Sequence, residues 1–465
     1  MKDFLKRMRL MAAIVITKLA IIGLRLMNRG GTSLPGKIAL KICPDILSQL
    51  SDRFRIIMIT GTNGKTTTSR IAAGMLEKSG IKYIANKSGA NLASGIATTL
   101  IEALSLTGKA MIRTALLETD EAAFKITAPK LKPEIVIVTN FFKDQLDRFG
   151  ELYSTLGHVR EGILGSPEST LILNADDSLC ASLGQGVKNP VIYYGFADGV
   201  YPETDFSSNN DAPYCINCSA RYSYSSVTFA HLGHFRCPRC GYERPEARIE
   251  CTQVLSYDNL TSTVEVKTPA GKIAARLALP GLYNIYNALA ATGLGHFLGL
   301  GVDDIKQVLE GFESGFGRME TINVMDKEIK MILVKNPTGF NQVLKYLLTQ
   351  KNKCAVALAL NDRLADGTDV SWIWDADLEI LSFMKDRIRS FYVSGIRAED
   401  MAVRLKYAGI DQELIKIEHD ENRLIDQLLN DVTDNETVYI LPTYTAMLEI
   451  RQVLKNRFKL KDFWK

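Results

Sequence analysis

The chain has 465 residues, which is enough for roughly two to four domains with separate hydrophobic cores. Hydrophobic residues make up 46% of the chain and charged residues 23%, a composition that is typical of globular proteins and excludes a disordered or fibrous one. The formal net charge of +4 is small for this length, so charge alone gives no support for a nucleic-acid partner.

The N-terminal segment, residues 1–50, is predicted to be helical. Residues 11–27 are mostly apolar, but Lys18 and Arg25 interrupt them, and no run is long enough to span a bilayer. The apolar part is not followed by a convincing signal-peptide cleavage site. Two interpretations stay open: a helix packed on the body of the protein, or an amphipathic helix on the inner membrane face. In the second case the residues near the lipid head groups are Lys2, Lys6, Arg7 and Arg9.

A glycine-rich turn follows a short apolar run near residue 60. Residues 56–59 are typical of a buried strand, and the periodic apolar positions in residues 71–76 predict a helix. Backbone N–H groups in such a turn surround a polyphosphate, while Lys65 reaches the β- and γ-phosphates and the Thr66 hydroxyl ligates Mg²⁺. The usual P-loop spacing would place its first glycine at position 59, which is Ile59 here. We predict an ATP site formed by Gly61, Thr62, Asn63, Gly64, Lys65, Thr66 and Thr67.

Strands alternate with helices from residue 55 to about residue 160, a pattern that predicts a parallel sheet covered by helices on both faces. Nucleotides bind outside the carboxyl ends of such strands. Glu118 closes one predicted strand, and Mg²⁺ requires a carboxylate beside a P-loop, so Glu118 is the predicted magnesium ligand together with Thr66. The strand at residues 134–138 is followed by three further polar candidates, each of which is also typical of an ordinary turn: Asn140, Asp144 and Asp147.

Four of the eight cysteines form two C-x-x-C pairs that are separated by 18 residues. This spacing predicts a zinc ribbon inserted at about residues 211–245, with the ligands Cys215, Cys218, Cys237 and Cys240. Four thiolates leave no open coordination position, so the predicted role is structural. Ribbons of this kind often bind nucleic acid, but the modest charge favours a structural or protein-docking role. Cysteine usage of this kind also indicates an intracellular protein.

Two further motifs follow the predicted ribbon. Asn284 and Asn287 lie three residues apart and share one face of a predicted helix. Arg318 lies in a glycine-rich turn at residues 315–320, where a guanidinium is well suited to phosphate oxygens.

The chain changes character near residue 323. Predicted strands at residues 329–335, 354–360, 389–393 and 437–441 alternate with helices and indicate a second, smaller α/β domain, residues 323–465, after a central domain of residues 51–322. The loop at residues 361–377 contains five acidic residues. Asp366 and Asp369 flank Gly367 and are candidates for catalysis or metal binding, which composition alone cannot rank.

These motifs together resemble the Mur ligase family, the ATP-dependent amide-forming enzymes of cell-wall synthesis. The resemblance rests on the phosphate loop, T-N-x-x-x-D-x-x-D-R-F-G at 139–150, Y-N-x-x-N-A-x-A-A at 283–291 and G-R-x-E at 317–320. It implies an α/β fold in which a central P-loop domain with a parallel sheet carries the ribbon and precedes a smaller α/β domain. It also implies that Glu118 and Thr66 hold Mg²⁺ and that Asn287 and Arg318 contact the nucleotide.

The departures from the family pattern narrow the resemblance. The segment before the loop strand is too short for the UDP-binding domain of a typical member, so we expect a substrate other than a soluble UDP-linked precursor. Gln145 stands where the family usually has His, and Lys335 and Asn336 stand in place of residues of the D-Y-A-H-x-P motif. With the ribbon, these departures are similar to those of the MurT-type subunits of lipid II isoglutaminyl synthases, as is the A-D-G-x-D-x-S-W loop at 365–372.

The resemblance implies ATP-dependent amidation of the D-glutamate α-carboxylate in the lipid II stem peptide, through an acyl phosphate. Lys65 and Arg318 would neutralise charge on the phosphoryl group. Ammonia would come from a GatD-type glutamine amidotransferase partner in a heterodimer, and Asp369, with Asp366 as the reserve, would complete the Cys and His of that partner. The expected location is cytoplasmic, with peripheral contact at the inner membrane face, and no nucleic-acid partner is expected.

Two alternatives stay open at this point. A folylpolyglutamate synthase-like ligase also lacks the UDP-binding domain, but it leaves the ribbon and the 365–372 loop without a role. A nucleic-acid-binding NTPase would use the ribbon and predicts steeply salt-dependent binding to DNA or RNA.

Overall fold

The computed structural model describes residues 2–26, 33–86, 89–142, 151–200, 211–257, 261–279, 281–312, 320–324, 326–350, 352–433, 436–458 and 460. These residues form two compact units. The first comprises described residues up to Phe312, and the second comprises those from Glu320 onward. Each unit has its own sheet and its own apolar core.

The first unit is built on a nine-stranded sheet with the strand order β11-β10-β9-β6-β5-β4-β1-β3-β2. Its strands are β1 (Arg55–Thr60), β2 (Tyr83–Ala85), β3 (Thr114–Glu118), β4 (Ile135–Val138), β5 (Thr170–Asn174), β6 (Val191–Phe196), β9 (Ile249–Tyr257), β10 (Ser262–Thr268) and β11 (Gly271–Leu277), while β7 (Ser223–Phe229) and β8 (Leu232–Arg236) form a separate hairpin. Its helices are α1 (Lys2–Leu26), α2 (Ser33–Ile42), α3 (Ile46–Leu50), α4 (Lys65–Lys78), α5 (Ala93–Glu102), α6 (Glu121–Leu131), α7 (Glu151–Leu164), α8 (Ser178–Ser182), α9 (Leu282–Phe297) and α10 (Val302–Glu310).

The central strands of this sheet are parallel and buried on both faces, as the apolar runs predict. In β1, Ile56 and Met58 enter the core on one face, and Ile57 and Ile59 enter the core on the other. This alternation follows from the two-residue period of a strand. The predicted α/β fold with a parallel sheet is therefore confirmed, and the carboxyl ends of β1, β3 and β4 meet at one edge of the sheet.

The outer part of this sheet was not predicted from the sequence. Strand β9 pairs in parallel with β6, and β10 and β11 extend the sheet with antiparallel pairings. The hairpin β7–β8 connects the two C-x-x-C pairs, because β7 begins after Cys218 and β8 ends before Cys237.

The N-terminal helix α1 packs one face into the first unit, where Leu10, Ala13, Ile14 and Thr17 are buried. Its other face leaves apolar side chains exposed, among them Leu19, which is 63% exposed. Among the helices that the structure describes, none has the length and apolar character needed to cross a membrane.

The second unit contains a six-stranded sheet with the order β12-β13-β17-β14-β15-β16. Its strands are β12 (Glu320–Val324), β13 (Lys327–Met331), β14 (Cys354–Ala359), β15 (Ile388–Ser394), β16 (Ile415–Ile417) and β17 (Thr437–Pro442), and its helices are α11 (Pro337–Thr349), α12 (Ala398–Tyr407), α13 (Glu421–Asp431) and α14 (Tyr444–Phe458). All pairings except β12–β13 are parallel. The loop with the acidic candidates follows β14, the fully buried strand in the middle of this sheet.

Candidate active site

The phosphate loop occupies residues 61–64, between the end of β1 and the first residue of α4. Gly61 and Gly64 both have positive φ values, 119° and 82°. At either position a Cβ would also collide with a neighbour, Thr139 Oγ1 at Gly61 and Asn287 Oδ1 at Gly64. The loop therefore needs glycine at both positions, and it leads directly into the N-terminus of α4, where backbone N–H groups favour an anion.

Glu118 and Thr66 lie together, as the strand order predicts. Strand β3 pairs with β1, and the register places Glu118 beside Ile59, near the end of β1 and just before the loop. The Thr66 hydroxyl donates a hydrogen bond to Glu118 Oε1 at 2.9 Å. Glu118 is almost fully buried, and Asn86 holds its backbone by donating to its carbonyl and accepting from its N–H, both at 2.8 Å. A fixed hydroxyl and carboxylate oxygen of this kind fit a Mg²⁺ site.

Lys65 is the first residue of α4, and its ammonium group lies within the loop. It donates to the carbonyl oxygens of Gly61 and Thr62, and it pairs with Glu121 at 3.3 Å. The side chains of Lys65 and Glu121 are each only 12% exposed. Glu121 was not among the residues predicted from the sequence. The arrangement keeps a lysine cation at the point where phosphate charge is expected.

Asn140, at the carboxyl end of β4, supports the other side of the loop. Its side-chain amide accepts from Asn63 N at 3.0 Å and donates to Asn63 O at 3.1 Å. Its carbonyl accepts from Thr62 N at 2.9 Å. Asn140 therefore positions loop backbone, and it is a support rather than an exposed ligand. The other candidates of this segment, Asp144 and Asp147, lie outside the described residues, as does Gln145.

Asn287 lies beneath the loop on α9. It is 2% exposed, donates to Asn284 Oδ1 at 3.1 Å and accepts from the Thr68 hydroxyl at 3.3 Å. Its side chain fills the space next to Gly64. The structure thus brings Asn287 to the predicted site as a packing partner of the loop. Thr67 is buried in the first turn of α4. Arg318 lies outside the described residues.

The four cysteines of the predicted ribbon converge. Their sulfur atoms all lie within 4.8 Å of one another, with Cys215 and Cys240 at 3.5 Å and Cys218 and Cys237 at 3.4 Å. A tetrahedral site with Zn–S bonds of about 2.3 Å has its sulfur atoms about 3.8 Å apart, so these residues fit such an ion.

Each pair of ribbon cysteines sits in a tight turn. Ser219 N donates to Cys215 O, Gly241 N donates to Cys237 O, and both donor residues have positive φ. Turns of this kind bring both sulfur atoms of a C-x-x-C pair to one side.

The remaining four cysteines are buried thiols. Burial raises the pKa of Cys180 well above its usual range, that of Cys251 to about 12 and that of Cys354 to about 11. Burial also raises the pKa of Cys43. Because the thiolate is the nucleophile, none of these four has the setting of a catalytic cysteine.

In the second unit, the two candidate acids of the loop after β14 differ in their hydrogen-bond partners. Both Asp366 carboxylate oxygens accept hydrogen bonds from Thr445, one from its N–H at 2.6 Å and one from its hydroxyl at 2.5 Å. Asp366 therefore anchors the first turn of α14. Asp369 accepts from Ser371 N at 2.8 Å through Oδ1, while its Oδ2 has no hydrogen-bond partner among the described residues. Of these two acids, only Asp369 has such an unpartnered oxygen among the described residues, and that oxygen is buried.

Comparisons with known proteins agree with this geometry. A family model described as the Mur ligase middle domain matches residues 59–295, and one described as the MurT ligase C-terminal domain matches residues 333–447. A Streptococcus pneumoniae protein named lipid II isoglutaminyl synthase (glutamine-hydrolyzing) subunit MurT is 37% identical over 92% of this chain and 93% of its own length. The chain belongs to the MurT family of Mur ligases. This MurT-family chain is accordingly an ATP-dependent ligase, and Mur ligases use ATP and Mg²⁺.

A second MurT relative and a solved structure extend this comparison. The MurT subunit of Staphylococcus aureus is 35% identical over 97% of this chain and 99% of its own length. The crystal structure of MurF from Acinetobacter baumannii has a TM-score of 0.66 and 16% sequence identity, and the match covers 91% of this chain and 80% of that one. The similarity to this MurF structure concerns the fold alone.

Proposed function

We propose that this protein is the ligase subunit of a lipid II isoglutaminyl synthase. It amidates the α-carboxylate of D-glutamate in the stem peptide of lipid II, a reaction of peptidoglycan synthesis. The observation that carries the proposal is the Thr66–Glu118 pair beside Lys65, in a chain 37% identical to a relative named as such a subunit. Because the phosphate loop can bind ATP and the substrate carries a carboxylate, phosphorylation of that carboxylate is the step that the site supports.

In the first step, a carboxylate oxygen of the substrate attacks the γ-phosphorus of ATP. The bond to the bridging oxygen breaks, ADP leaves, and an acyl phosphate forms. Lys65 exchanges its contact with Glu121 for phosphate oxygens, and the N-terminus of α4 faces the same charge. Thr66 and Glu118 would hold Mg²⁺, which neutralises phosphate charge when bound. Arg318 would add a second cation to the phosphoryl group.

In the second step, ammonia attacks the acyl carbon, loses a proton and displaces inorganic phosphate, which carries away one former carboxylate oxygen. The buried thiols of this chain do not supply a nucleophile for glutamine hydrolysis. A GatD-type glutamine amidotransferase subunit therefore supplies the ammonia in a heterodimer. Asp369, whose buried Oδ2 has no hydrogen-bond partner among the described residues, orients the catalytic histidine of that subunit, and Asp366 holds α14 in place.

Zinc is the ion that the four-cysteine cluster would hold. Four thiolates favour Zn²⁺, and their number leaves no coordination position for a reactant. The cluster is accordingly structural. Its aromatic neighbours Tyr222 and Phe235 are buried rather than displayed to a nucleic acid.

The exposed face of α1 contacts the inner face of the membrane that carries lipid II. Met8, Leu19 and Ile22 on this face are 55%, 63% and 53% exposed. Exposed basic residues, Lys6, Arg7 and Arg9, precede or flank this apolar stripe. An exposed apolar stripe with flanking cations is complementary to an anionic lipid surface.

The reaction is tested with the purified chain, its glutaminase partner, lipid II, ATP and glutamine, by following the mass decrease that accompanies conversion of a carboxyl group to an amide. Lys65→Ala should abolish product from both glutamine and added ammonium chloride, because phosphorylation precedes use of either nitrogen source. Unchanged product from this variant would overturn the assignment of the ATP site.

The partner's triad is tested by comparing two acids of one loop. Asp369→Asn should abolish amidation from glutamine and leave amidation from ammonium chloride intact. Asp366→Asn should change amidation from glutamine and amidation from ammonium chloride by the same factor. The reason is that loss of the Asp366 carboxylate perturbs α14 rather than the glutaminase. Glutamine-dependent product from Asp369→Asn at the parent rate would contradict the assignment of Asp369.

A further inference from the structure

We infer that the four-cysteine ribbon braces the phosphate loop: a metal at its cysteines holds the β7–β8 hairpin, and the hairpin holds residues 140–142 against the loop. The inference rests on the proposed structural metal site and goes beyond it, because it assigns the ribbon a role in nucleotide binding. It follows from four successive sets of contacts, all of them within the first unit.

The ribbon is first attached to the segment between β5 and α8 and to the start of α8. Two and four residues after Cys240, Tyr242 and Arg244 turn inward rather than to solvent. Tyr242 donates from its hydroxyl to Ser178 O at 2.7 Å. Arg244 donates to Asp176 Oδ1 at 2.6 Å and to Phe196 O at 2.7 Å, and its side chain is only 8% exposed.

Asp176 and Asp177 form the next connection, because both are fully buried directly after β5. Asp176 also accepts from Tyr286 on α9 at 2.7 Å. Burial raises the pKa of this tyrosine, and the neighbouring Asp176 carboxylate raises it further. Asp177 accepts from Phe141 N at 2.7 Å and from Leu179 N at 2.9 Å. A buried carboxylate that loses its hydrogen-bond donors costs several kcal/mol of free energy, on the order of the penalty for burying an unsatisfied polar group. These hydrogen bonds therefore hold the donor groups in place.

The hairpin adds a third contact. Its turn carries Phe229 and His231, whose rings lie 5.8 and 4.6 Å from the ring of Phe142. Gly233 N donates to Asp176 O at 3.0 Å, which anchors the same turn to the end of β5. Because the two C-x-x-C pairs flank the hairpin in sequence, a metal at the four sulfur atoms closes its base.

The fourth contact reaches the phosphate loop. The consecutive residues 140–142 lie between the ribbon side and the phosphate loop, and they contact both. Asp177 and the hairpin hold Phe141 and Phe142 on one side. On the other side, Phe142 N donates to the Thr62 hydroxyl at 3.2 Å, and Asn140 makes three hydrogen bonds with the backbone of Thr62 and Asn63. Phe142 and Asp177 are accordingly positioning residues for the loop.

The first test uses the reciprocity of binding. If the metal raises nucleotide affinity by some factor, the nucleotide raises metal affinity by the same factor. Zinc affinity of the full chain is measured by competition with a chelating dye, with excess Mg²⁺, in the presence and absence of a saturating non-hydrolysable ATP analogue. We expect zinc to bind at least about tenfold more tightly with the analogue bound. Equal zinc affinities in the two conditions would overturn the inference.

The second test separates positioning from general stability. Phe142→Ala should retain the zinc content of the parent and bind the ATP analogue about tenfold more weakly, while Phe142→Leu should recover most of the affinity. Leu100→Ala, a deletion in the core on the opposite side of the sheet, should lower stability and leave nucleotide affinity unchanged.

Parent affinity in a folded, zinc-loaded Phe142→Ala protein would contradict the brace. If this variant does not fold, the zinc competition on the parent protein decides the question alone. Neither experiment measures amidation, so their failure would leave the proposed reaction standing.

Discussion

Replacement of Gly64 by alanine tests the packing of the phosphate loop directly. Gly64 has a φ of 82°, and a Cβ there would overlap Asn287 Oδ1 and lie 2.9 Å from Asn287 Cγ. The left-handed conformation costs a residue with a Cβ about 1–2 kcal/mol. Displacement of Asn287 also breaks its hydrogen bonds with Asn284 and Thr68, at about 0.5–1.5 kcal/mol each. The expected loss is therefore about 2–5 kcal/mol of unfolding free energy.

A matched control is available in the same unit. Gly80 has a φ of 71°, but nothing lies within 4 Å of a Cβ at that position. Gly80→Ala should therefore lose only the conformational part, about 1–2 kcal/mol. Urea denaturation gives both free energies, and titration with an ATP analogue should show weaker binding for Gly64→Ala alone.

A double variant adds a further check. Because Asn287→Ala removes the overlapping oxygen, its combination with Gly64→Ala should cost less than the sum of the two single changes. Equal losses from Gly64→Ala and Gly80→Ala, with strict additivity in the double variant, would refute the placement of Asn287 beneath the loop.

Three further predictions concern the metal pair, the N-terminal helix and the second unit. In Glu118→Gln, the Mg²⁺ concentration needed for half-maximal nucleotide binding should rise at least about tenfold, because the carboxylate that accepts from Thr66 is lost. Leu19→Glu should reduce sedimentation with phosphatidylglycerol vesicles, whereas Ile126→Glu, at an apolar site on α6 that is also more than half exposed, should not. A hydrogen bond from Arg389 is the main cause that lowers the pKa of Glu436 from 4.5 to about 2, and hydrogen bonds from Thr433 add to it. That carboxylate therefore stabilises the second unit above pH 4.5, and Glu436→Gln should cost about 1–2 kcal/mol at neutral pH, a cost that shrinks below pH 4.5 and vanishes only below pH 2.

Each of these predictions has a clear contrary result. An unchanged Mg²⁺ requirement in the Glu118 variant would place the ion elsewhere. Equal vesicle binding by the Leu19 and Ile126 variants would remove the membrane role of α1. A stability difference for the Glu436 variant that persists unchanged to pH 2 would show that the Arg389 contact is not its cause.

Much of the phosphate site could be predicted from the sequence, because local patterns determine it. An apolar strand followed by a glycine turn and a helix fixes where Lys65 and Thr66 lie. Glu118 could be added because parallel strands end at one edge of a sheet, and the β1–β3 pairing brings it to Thr66 as expected. The four cysteines were predictable for a similar reason, since their spacing is itself the signal.

The rest depends on pairings between distant residues. The role of Glu121 depends on where the ammonium group of Lys65 points, and the brace depends on Arg244 reaching Asp176 across 68 residues. Neither contact leaves a local pattern. Asp366 and Asp369 could not be ranked because Asp366 is used by Thr445, which lies 79 residues further along the chain. The hairpin β7–β8 was missed because two of the buried residues of β7, Ser226 and Thr228, are polar and interrupt the apolar pattern of a strand.

The most direct test of the proposed reaction follows the oxygen atoms of the substrate. Lipid II with heavy oxygen in the D-glutamate α-carboxylate is incubated with the enzyme pair, ATP and glutamine, and the inorganic phosphate is analysed by mass spectrometry. An acyl phosphate predicts that each turnover transfers one labelled oxygen to phosphate, because the phosphoryl group leaves with the oxygen that attacked it. Inorganic phosphate that contains no label, formed together with the amide, would contradict carboxylate activation at the phosphate loop.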